Sequence, residues 1–512
     1  MTEHVDTDVA IVGVGPVGAV LAGLLGQHGI DVVAVDREWD VFKLPRAAHI
    51  DHTGVRTLQE LGMLDSLMPT LLANAGLDFV TADNQLLLRV PGGAQSISGI
   101  PASMYFHQPD LDQRIRAAVA AMPSVDLRLG TEVRTLEPGP ESVTLHCERS
   151  GAEPLEIRAK WVVGCDGAWS TTREALGLEL DDLGFEERWI VVDLLLQQAA
   201  ADQLGGSAIC LCDPERPTYS IPMPNLRHRF EFMSLPGEDP AQMIADDSII
   251  RLVSGWMDAG GFEIERSAVY TFHGLVASHW RHGRVLIAGD AAHQMPPFLG
   301  QGMCSGIRDA ANLAWKLRHM LDHGAADELL DTYGIERATH VRQIIEAVVD
   351  YGRFICTIDP VEAAERDRRL LSDPAPADQR MRFGLPLLHR GLLVHEHGGG
   401  LFVQPRPGDG PMLDDLVGPR FAVVGRTRAA LGAAGAWWAD AVGAFVAVAD
   451  EVPFHAATLT KWLNNRSADV VLVRPDRYVM WAGNDLDTVT RDVAPLLSGT
   501  AYAGSKVEEK IR

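Results

Sequence analysis

The sequence is poor in basic residues and has no long hydrophobic run. Its 512 residues contain 45 Lys and Arg against 69 Asp and Glu, a formal net charge of −24. A chain this acidic is not expected to bind nucleic acid or an anionic membrane, because both carry negative charge. No stretch of 18 uninterrupted apolar residues predicts a membrane span, and the acidic start "MTEHVDTD" does not resemble a signal peptide.

Cysteine is scarce and scattered. None of the six cysteines forms a CxxC pair, and none is spaced with histidine as a metal site requires. No cysteine follows Cys356, so the C-terminal region has no CxxC redox motif. We therefore predict no metal site and expect a reduced, cytoplasmic protein.

The length of the chain predicts two or three domains of mixed α/β type. Residues 8–36 follow the pattern strand, glycine-rich turn, helix, strand, and short strands are predicted near 75–105. Alternating runs from 185 to 275, such as "RHRFEFMSL", predict an antiparallel sheet. Glycine and proline indicate a linker at 395–411, and the residues from 412 onward predict a smaller α/β domain.

A glycine-rich turn follows the first apolar strand. In "VAIVGVGPVG", Gly13, Gly15 and Gly18 form a GxGxxG motif, and the second strand, "DVVAVD", ends at Asp36. The glycines allow a tight turn, a close approach of the backbone to a pyrophosphate, and close packing of helix on strand. Asp36 is placed to accept hydrogen bonds from a ribose. The pattern predicts dinucleotide binding but does not by itself distinguish FAD from NAD.

Two further loops follow buried strands much later in the chain. "GCDGAWSTTR" contains Asp166 and Gly167, and "GDAAHQMPPFLGQG" contains Asp290 and two adjacent prolines, Pro296 and Pro297. A simple NAD dehydrogenase needs no such downstream loops, whereas the isoalloxazine of FAD needs support far from its adenosine. The loops therefore favour FAD.

With the three loops in this order, the sequence resembles the FAD-dependent aromatic hydroxylases, which are single-component flavin monooxygenases. Similar segments include "GQHGIDVVAVDRE", "CDPERP" and "GQGMCSGIRDAANLAWKL". The resemblance covers residues 6–390 and, within the family, is strongest to the 3-(3-hydroxyphenyl)propionate hydroxylases.

The resemblance implies a Rossmann-like FAD-binding domain at residues 1–180 and 276–394. An antiparallel β-sheet domain for the substrate would be inserted at 181–275, joined by the short strands near 75–105. Residues 412–512 resemble the thioredoxin-like domain of longer family members. Structural support or subunit contact, as in a homodimer, is the role expected for that domain.

The resemblance also implies how FAD is held. Asp36 would contact the adenosine ribose, Arg46 would lie near the pyrophosphate, and Gln108 would reach the ribityl chain. Asp290 would hold the ribityl or pyrophosphate portion. The complete set of predicted cofactor residues is Gly13, Gly15, Pro16, Gly18, Asp36, Arg37, Arg46, Gln108, Asp166, Gly167, Asp290, Pro297, Gly302 and Met303.

The predicted set includes main-chain groups as well as side chains. Main-chain N–H groups of Gly302 and Met303 would face the pyrimidine edge of the flavin, where the positive end of the following helix suits the anionic reduced form. Asp166 belongs to the family's DG motif, although Thr172 stands where valine is common. Asp36 replaces the more usual glutamate.

The implied reaction uses NADH or NADPH to reduce FAD, followed by O₂. Through a flavin C4a-hydroperoxide, one oxygen atom would be transferred to a phenolic ring carbon ortho or para to the hydroxyl. Pro297 would form a wall of the oxygen-transfer pocket. No second strand–GxGxxG–helix unit is present, so the choice between NADH and NADPH stays open.

The predicted sheet offers candidates for substrate contacts. A base that ionises the phenol would be one of Tyr219, His228 and His273. A substrate carboxylate would be bound by one of Arg188, Arg227 and Arg229. His293 lies beside the third loop and is expected to be a structural residue that packs against the flavin.

Other functions remain open on the sequence alone. The substrate could be a larger polycyclic or polyketide compound, hydroxylated or epoxidised. A halogenase is disfavoured because the eleven tryptophans form no WxW. A non-catalytic flavin-binding redox sensor would not need the proline-rich wall, and a plain NAD dehydrogenase would be colourless.

Overall fold

The computed structural model describes residues 2–41, 46–149, 151–258, 260–380, 384–392, 397–499 and 502. The fold is mixed α/β. The strands of the N-terminal part are β1 (Glu3–Val12), β2 (Val32–Asp36), β3 (His49–Asp51), β4 (Leu72–Ala73), β5 (Gly76–Val80), β6 (Leu86–Pro91), β7 (Ser103–Tyr105), β8 (Val125–Leu129), β9 (Thr131–Pro138), β10 (Val143–Arg149) and β11 (Leu155–Gly164). The later strands are β12 (Leu180–Leu196), β13 (Ala208–Leu211), β14 (Thr218–Pro222), β15 (Arg227–Met233), β16 (Phe262–Ala277), β17 (Arg281–His282), β18 (Val285–Ile287), β19 (His293–Gln294), β20 (Ala422–Gly425), β21 (Phe445–Val448), β22 (Val470–Val473) and β23 (Val479–Gly483).

The helices lie between these strands and on the faces of the sheets. In chain order they are α1 (Pro16–Gly26), α2 (His52–Glu60), α3 (Leu64–Leu67), α4 (Gln108–Ala120), α5 (Thr171–Ala175), α6 (Gln198–Leu204), α7 (Pro240–Met243), α8 (Asp246–Val253), α9 (Gly302–Asp322), α10 (Glu328–Ile355), α11 (Pro360–Leu371), α12 (Leu413–Val417), α13 (Arg428–Val442), α14 (Ala456–Asn464) and α15 (Leu486–Ser498). Within the residues described, no helix has the length and apolar content needed to cross a bilayer.

The first sheet has the strand order β17-β18-β11-β1-β2-β8, and β9 and β10 extend it from β11. Its central strands are parallel. Residues 9–12 of β1 are buried, as expected for a parallel strand covered on both faces. Helix α1 packs against α4 and α9 on this sheet. The turns after β1, β11 and β18 therefore meet at one edge of the sheet, because parallel strands end on the same side.

The second sheet has the order β19-β16-β12-β15-β14-β13-β5-β6 and is antiparallel except for the pair β13–β5. One face packs against α8, where Phe230 and Phe232 contact Ile249 and Val253 in a single apolar cluster. The other face turns toward the first sheet. Because both faces are covered, strand β15 is buried almost throughout instead of alternating between buried and exposed residues.

The C-terminal part has a four-stranded sheet of order β21-β20-β22-β23, in which β20 and β21 are parallel and the other pairs antiparallel. The segment before it, predicted as a linker at 395–411, is partly packed. Leu401 forms a β-bridge with Tyr478, and Phe402 is buried. Residues 395 and 396 of that segment lie outside the described residues.

Buried ion pairs connect the C-terminal part to the rest of the molecule. Arg56 of α2 contacts Asp414 at 2.6 Å. Glu336 of α10 contacts both Lys316 of α9, at 2.9 Å, and Arg474, at 3.0 Å. Burying such charges is tolerated only when each is paired, so removing one partner would be strongly destabilising.

Candidate active site

A cavity of about 1360 Å³ lies between the carboxyl edge of the first sheet and one face of the second. The predicted cofactor residues come together around it from distant parts of the chain. Those that line it are Gly13, Gly15, Pro16, Asp36, Arg37, Arg46, Gln108, Asp166, Gly167, Asp290, Pro297, Gly302 and Met303. Gly18 is the exception, since it is buried beneath the glycine turn. The individual contacts of these residues with a cofactor stay predictions.

The three glycines of the first loop have different surroundings. Gly13 has φ +95°, and a Cβ there would lie 2.5 Å from the carbonyl oxygen of Cys165. A Cβ on Gly18 would lie 2.0 Å from the carbonyl oxygen of Gly13. Around Gly15, by contrast, no atom of another described part of the chain lies within 4 Å of the Cβ position. Gly13 and Gly18 are therefore required by the fold, whereas Gly15 leaves space at the N-terminus of α1 that a pyrophosphate would fill.

Asp36 is held in place by its neighbours. Its Oδ2 accepts hydrogen bonds from the main-chain N–H of Val14, at 2.8 Å, and from Nη2 of Arg116, at 3.2 Å. Nε of Arg116 donates to the carbonyl oxygen of Val14 at 2.9 Å. Nη1 of Arg116 is buried at the cavity without a hydrogen-bond partner among the described residues. A buried cationic donor of this kind fits an anionic or polar ligand group, as a dinucleotide would supply.

The sequence interpretation missed Arg116. Gln108, Asp112 and Arg116 are spaced by four residues along α4, so they form a polar row on a buried face of that helix. That spacing is visible in "QPDLDQRIR" and is unusual for a helix packed against a sheet. This spacing is the feature of the sequence from which Arg116 could have been identified as a site residue.

Gln108 fixes the chain near Arg46. Its Oε1 accepts hydrogen bonds from the N–H groups of Arg46, at 2.7 Å, and Ala47, at 2.8 Å, and its Nε2 donates to Asp112 at 3.2 Å. Burial raises the pKa of Asp112 to about 7, against the smaller lowering effect of the Gln108 hydrogen bond. Nη1 of Arg46 reaches Asp290 at 3.3 Å and so connects this segment to the third loop.

The side chain of Asp166 organises its own loop. One oxygen accepts a hydrogen bond from Oγ of Ser170 at 2.5 Å, and the other accepts from N and Oγ1 of Thr172 at 2.9 and 3.0 Å. Thr172, which departs from the family pattern, therefore contributes a hydrogen bond that valine could not make. Nη1 of Arg173 donates to the carbonyl oxygen of Ala291 at 3.1 Å, which ties the second loop to the third.

The third loop leads into the N-terminus of α9. Helix α9 has no side-chain cap, and Gly302 and Met303 in its first turn line the cavity. Its unpaired N–H groups and its dipole make this point of the wall electropositive. On the other side of the loop, the hydroxyl of Tyr219 donates to the carbonyl oxygen of Phe298 at 3.3 Å, and the two rings stack. The loop that contains Pro297 is thus anchored to the second sheet.

The two catalytic candidates on the second sheet lie on opposite faces. Tyr219 lines the cavity, and burial raises its pKa well above the usual value. His228 does not line the cavity. Its Nε2 pairs with Oγ of Ser220 at 2.8 Å, and burial lowers its pKa to about 3. Of the three base candidates, His228 is therefore placed away from the cavity, because the pleat turns its side chain toward the α8 side.

The remaining candidates separate in the same way. His273 lines the cavity close to Glu186, at 3.9 Å. Arg227 pairs with Glu265 at 2.9 Å, and neither it nor the exposed Arg188 lines the cavity. Arg229 does, although Asp193 already holds its guanidinium. Nε2 of His293 contacts Asp309 at 2.7 Å. His293 does not line the cavity, so its contact is structural and the structure does not place it against a flavin.

Comparison with known proteins relates the chain to flavoenzymes over its whole length. A family model described as FAD binding domain matches residues 6–348, and one described as HcaD C-terminal domain matches 399–495. A probable NADH-specific resorcinol 4-hydroxylase of Rhodococcus jostii RHA1 is 34% identical, over 98% of this chain and 96% of the relative. A 3-(3-hydroxy-phenyl)propionate/3-hydroxycinnamic acid hydroxylase of Escherichia coli K12 is 33% identical, over 92% and 91% of the two chains.

Solved structures with a similar fold include two monooxygenases. The flavin-dependent monooxygenase PieE, solved in complex with FAD and substrate, matches with a TM-score of 0.80 at 22% identity, over 97% of this chain and 99% of its own. The p-nitrophenol 4-monooxygenase PnpA from Pseudomonas putida DLL-E4 matches with a TM-score of 0.65 at 23% identity, over 72% and 94% of the two chains. At these identities the likeness establishes the fold.

Proposed function

The chain belongs to the FAD binding domain family and is an FAD-dependent aromatic monooxygenase. From this premise we propose that it hydroxylates a small phenol and uses NADH as the reductant. Resorcinol and 3-(3-hydroxyphenyl)propionate, the compounds named for its relatives, are the first substrates to consider. The observation that carries the proposal is the shared cavity, in which the three loops predicted to hold FAD face the side chains of the second sheet.

The proposal assigns FAD to the half of the cavity nearest the first sheet. The N–H groups at the N-terminus of α1 would bind its pyrophosphate, and Asp36 and Arg116 would hold the ribose side. Bound FAD would accept a hydride from NADH and activate O₂ for transfer of one oxygen atom. The N-terminus of α9 would stabilise negative charge on the flavin through the N–H groups near Gly302.

We assign the substrate to the other half of the cavity, against the second sheet. Residues 181–275 would then form the inserted substrate-binding domain, with β5 and β6 completing its sheet. Pro297 and Phe298, anchored by Tyr219, would exclude water from the space between flavin and substrate. Exclusion of water matters because an activated oxygen species that meets water is lost as hydrogen peroxide.

For the C-terminal part we propose a thioredoxin-like domain without redox function. The strand order, with one parallel and two antiparallel pairs, supports this assignment. The buried ion pairs with α2 and α10 support a structural role.

The test is a turnover assay with the purified, flavin-loaded protein. NADH oxidation and hydrogen peroxide are measured with resorcinol, 3-(3-hydroxyphenyl)propionate and related phenols, and products are examined for one added oxygen atom. We expect at least one phenol to stimulate NADH oxidation and yield a hydroxylated product. If every phenol gives only the peroxide-forming background, the proposed function is wrong.

A further inference from the structure

Four charged side chains are buried together on the face of the second sheet that meets the cavity. They come from neighbouring strands: Asp193 from β12, Arg229 and Glu231 from β15, and Arg266 from β16. Asp193 receives hydrogen bonds from Nε and Nη2 of Arg229 at 2.7 and 3.0 Å, and Arg266 lies 3.4 Å from it. With two carboxylates and two guanidinium groups the cluster has no net charge.

Glu231 is the member of this cluster that is left for a ligand. It is 6% exposed and lines the cavity, and its nearest charged contact is Nη1 of Arg229 at 4.0 Å. Arg229 uses its hydrogen bonds on Asp193 and on the carbonyl oxygen of Arg46. Within the described part of the chain, no hydrogen bond is donated to the Glu231 carboxylate. A buried carboxylate without donors is costly, so it is expected to meet a donor from the cavity.

The position of Glu231 also suits a substrate. In the strand register it lies directly opposite Tyr219 of β14 and Val191 of β12. Tyr219 in turn contacts Phe298, the residue after Pro297 in the oxygen-transfer wall. One side chain therefore separates Glu231 from the loop at which oxygen transfer is proposed.

We propose that Glu231 is the base that accepts the proton of the substrate's phenolic hydroxyl, an assignment that rests on the proposed function. In this step the phenol O–H bond breaks and an O–H bond forms on the Glu231 carboxylate. The negative charge moves to the phenolate oxygen, which stays beside Arg229 at the cavity. The charge of the cluster and substrate together is unchanged, so the step needs no other reactant.

The surroundings of Glu231 make its carboxylate a better base than an exposed one. Burial raises its pKa, Arg229 opposes that shift, Asp193 raises the pKa further and Arg266 lowers it. Two tyrosines of the neighbouring strands also lie next to the cluster. Glu231 contributes to the raised pKa of Tyr219 on β14, and the Arg266 guanidinium lies 5.6 Å from the ring centroid of Tyr270 on β16. A base whose pKa lies closer to neutral accepts a phenolic proton more readily.

The experiment compares Glu231→Gln with wild type on an accepted phenol and on a ring-fluorinated analogue, whose hydroxyl is more acidic. The flavin-loaded enzymes are assayed for hydroxylated product per minute and per NADH across a range of pH. With the ordinary phenol we expect product formation by Glu231→Gln to fall about 100-fold at neutral pH. The loss should be much smaller with the fluorinated phenol, and the variant's rate should rise with the ionised fraction of the phenol.

Matched variants keep the test decisive. Glu263→Gln, an exposed carboxylate on β16 outside the cavity, should behave as wild type. Glu231→Asp keeps the carboxylate but shortens the side chain, so it should retain intermediate activity. If Glu231→Gln binds less flavin than wild type, the activity of Glu231→Asp shows whether the carboxylate itself is needed. Equal losses on both phenols, or an unimpaired Glu231→Gln, would overturn the proposal. Wild-type enzyme that hydroxylates no phenol contradicts the proposed function, and the Glu231 assignment falls with it.

Discussion

The cavity has two walls of different construction. The cofactor wall, formed by Gly13, Gly15, Asp36, Asp290 and Gly302, presents mainly main-chain groups at strand ends and helix N-termini. The sheet wall, formed by Tyr219, Arg229 and Glu231, presents buried side chains whose charges depend on one another. Main-chain recognition suits a cofactor that never changes, whereas side-chain recognition can change with the substrate. Substitutions in the two walls should therefore fail in different ways.

The largest expected effect is in the glycine turn of the cofactor wall. In Gly18→Ala the new Cβ would lie 2.0 Å from the Gly13 oxygen, so we expect a loss of about 1–3 kcal/mol in the free energy of unfolding and little bound flavin. In Gly15→Ala the methyl group meets no protein atom, so the apoprotein should be as stable as wild type. Its flavin affinity should still fall about tenfold or more.

Urea denaturation of the apoproteins and flavin absorbance per protein separate the two effects. A Gly15→Ala variant that keeps full flavin content would mean that no pyrophosphate approaches this turn, and the cofactor wall would have to be assigned differently.

The next effect tests Arg116, a long side chain that lines the cavity beside the cofactor wall. Arg116→Met removes the guanidinium that holds Asp36 and the unpaired Nη1 beside the cavity. We expect FAD affinity to fall about 10- to 100-fold, since hydrogen bonds to charged groups are lost. Arg114→Met, on the exposed side of the same helix, is the matched control. Fluorescence titration of the apoproteins with FAD measures both, and equal affinities would remove Arg116 from the site.

His228 sharpens the comparison because it belongs to the sheet but not to its cavity face. Its pKa is about 3 in the folded protein and 6.5 ordinarily, so the unfolded chain takes up a proton first as the pH falls. Stability is thus present above pH 6.5 and lost between 6.5 and 3, by about 2 kcal/mol at about pH 5.

The free energy of unfolding of wild type should fall by about 2 kcal/mol more than that of His228→Gln between about pH 7.5 and about pH 5. Urea denaturation at the two pH values measures this difference. Its rate of product formation should be reduced only as far as the fraction of folded protein is reduced. Should the variant fold normally yet make no hydroxylated product, His228 would regain the catalytic role that its position in the structure argues against.

Tyr219→Phe should have the smallest effect. Its hydroxyl donates a long hydrogen bond to the carbonyl oxygen of Phe298, so its loss should cost about 1 kcal/mol or less and reduce product per NADH by no more than about fivefold. The measurement is the ratio of product to hydrogen peroxide. A loss of about 100-fold would instead make Tyr219 the acid–base group and displace Glu231.

The two walls also differ in how far the sequence predicts them. The glycine turn, Asp166 and Asp290 each follow an apolar strand, and parallel strands end at a common edge, so the sequence brings them together correctly. In "RHRFEFM" the pattern shows that alternate residues share a face, but it does not show which face meets the cavity. Because Phe230 and Phe232 pack against α8, the face with charges meets the cavity, and His228 lies on the other face.

Arg116 and Glu231 were missed for a related reason. In a sequence, a buried charge looks the same as an exposed one, and only the packing of other elements makes it buried. The polar row on α4 gave a signal through its four-residue spacing, whereas Glu231 had none, since its environment depends on strands separated by tens of residues.

The buried ion pairs between the C-terminal part and helices α2 and α10 also limit which recombinants between related genes can fold. Each pair is encoded by codons far apart in the gene, as with Arg56 and Asp414. A chimera that takes its C-terminal segment from a relative would inherit only one half of each pair, unless the relative has the same partners. Recombination within this family should therefore succeed where a crossover exchanges both partners of each pair together, or where the relative has the same partner residues.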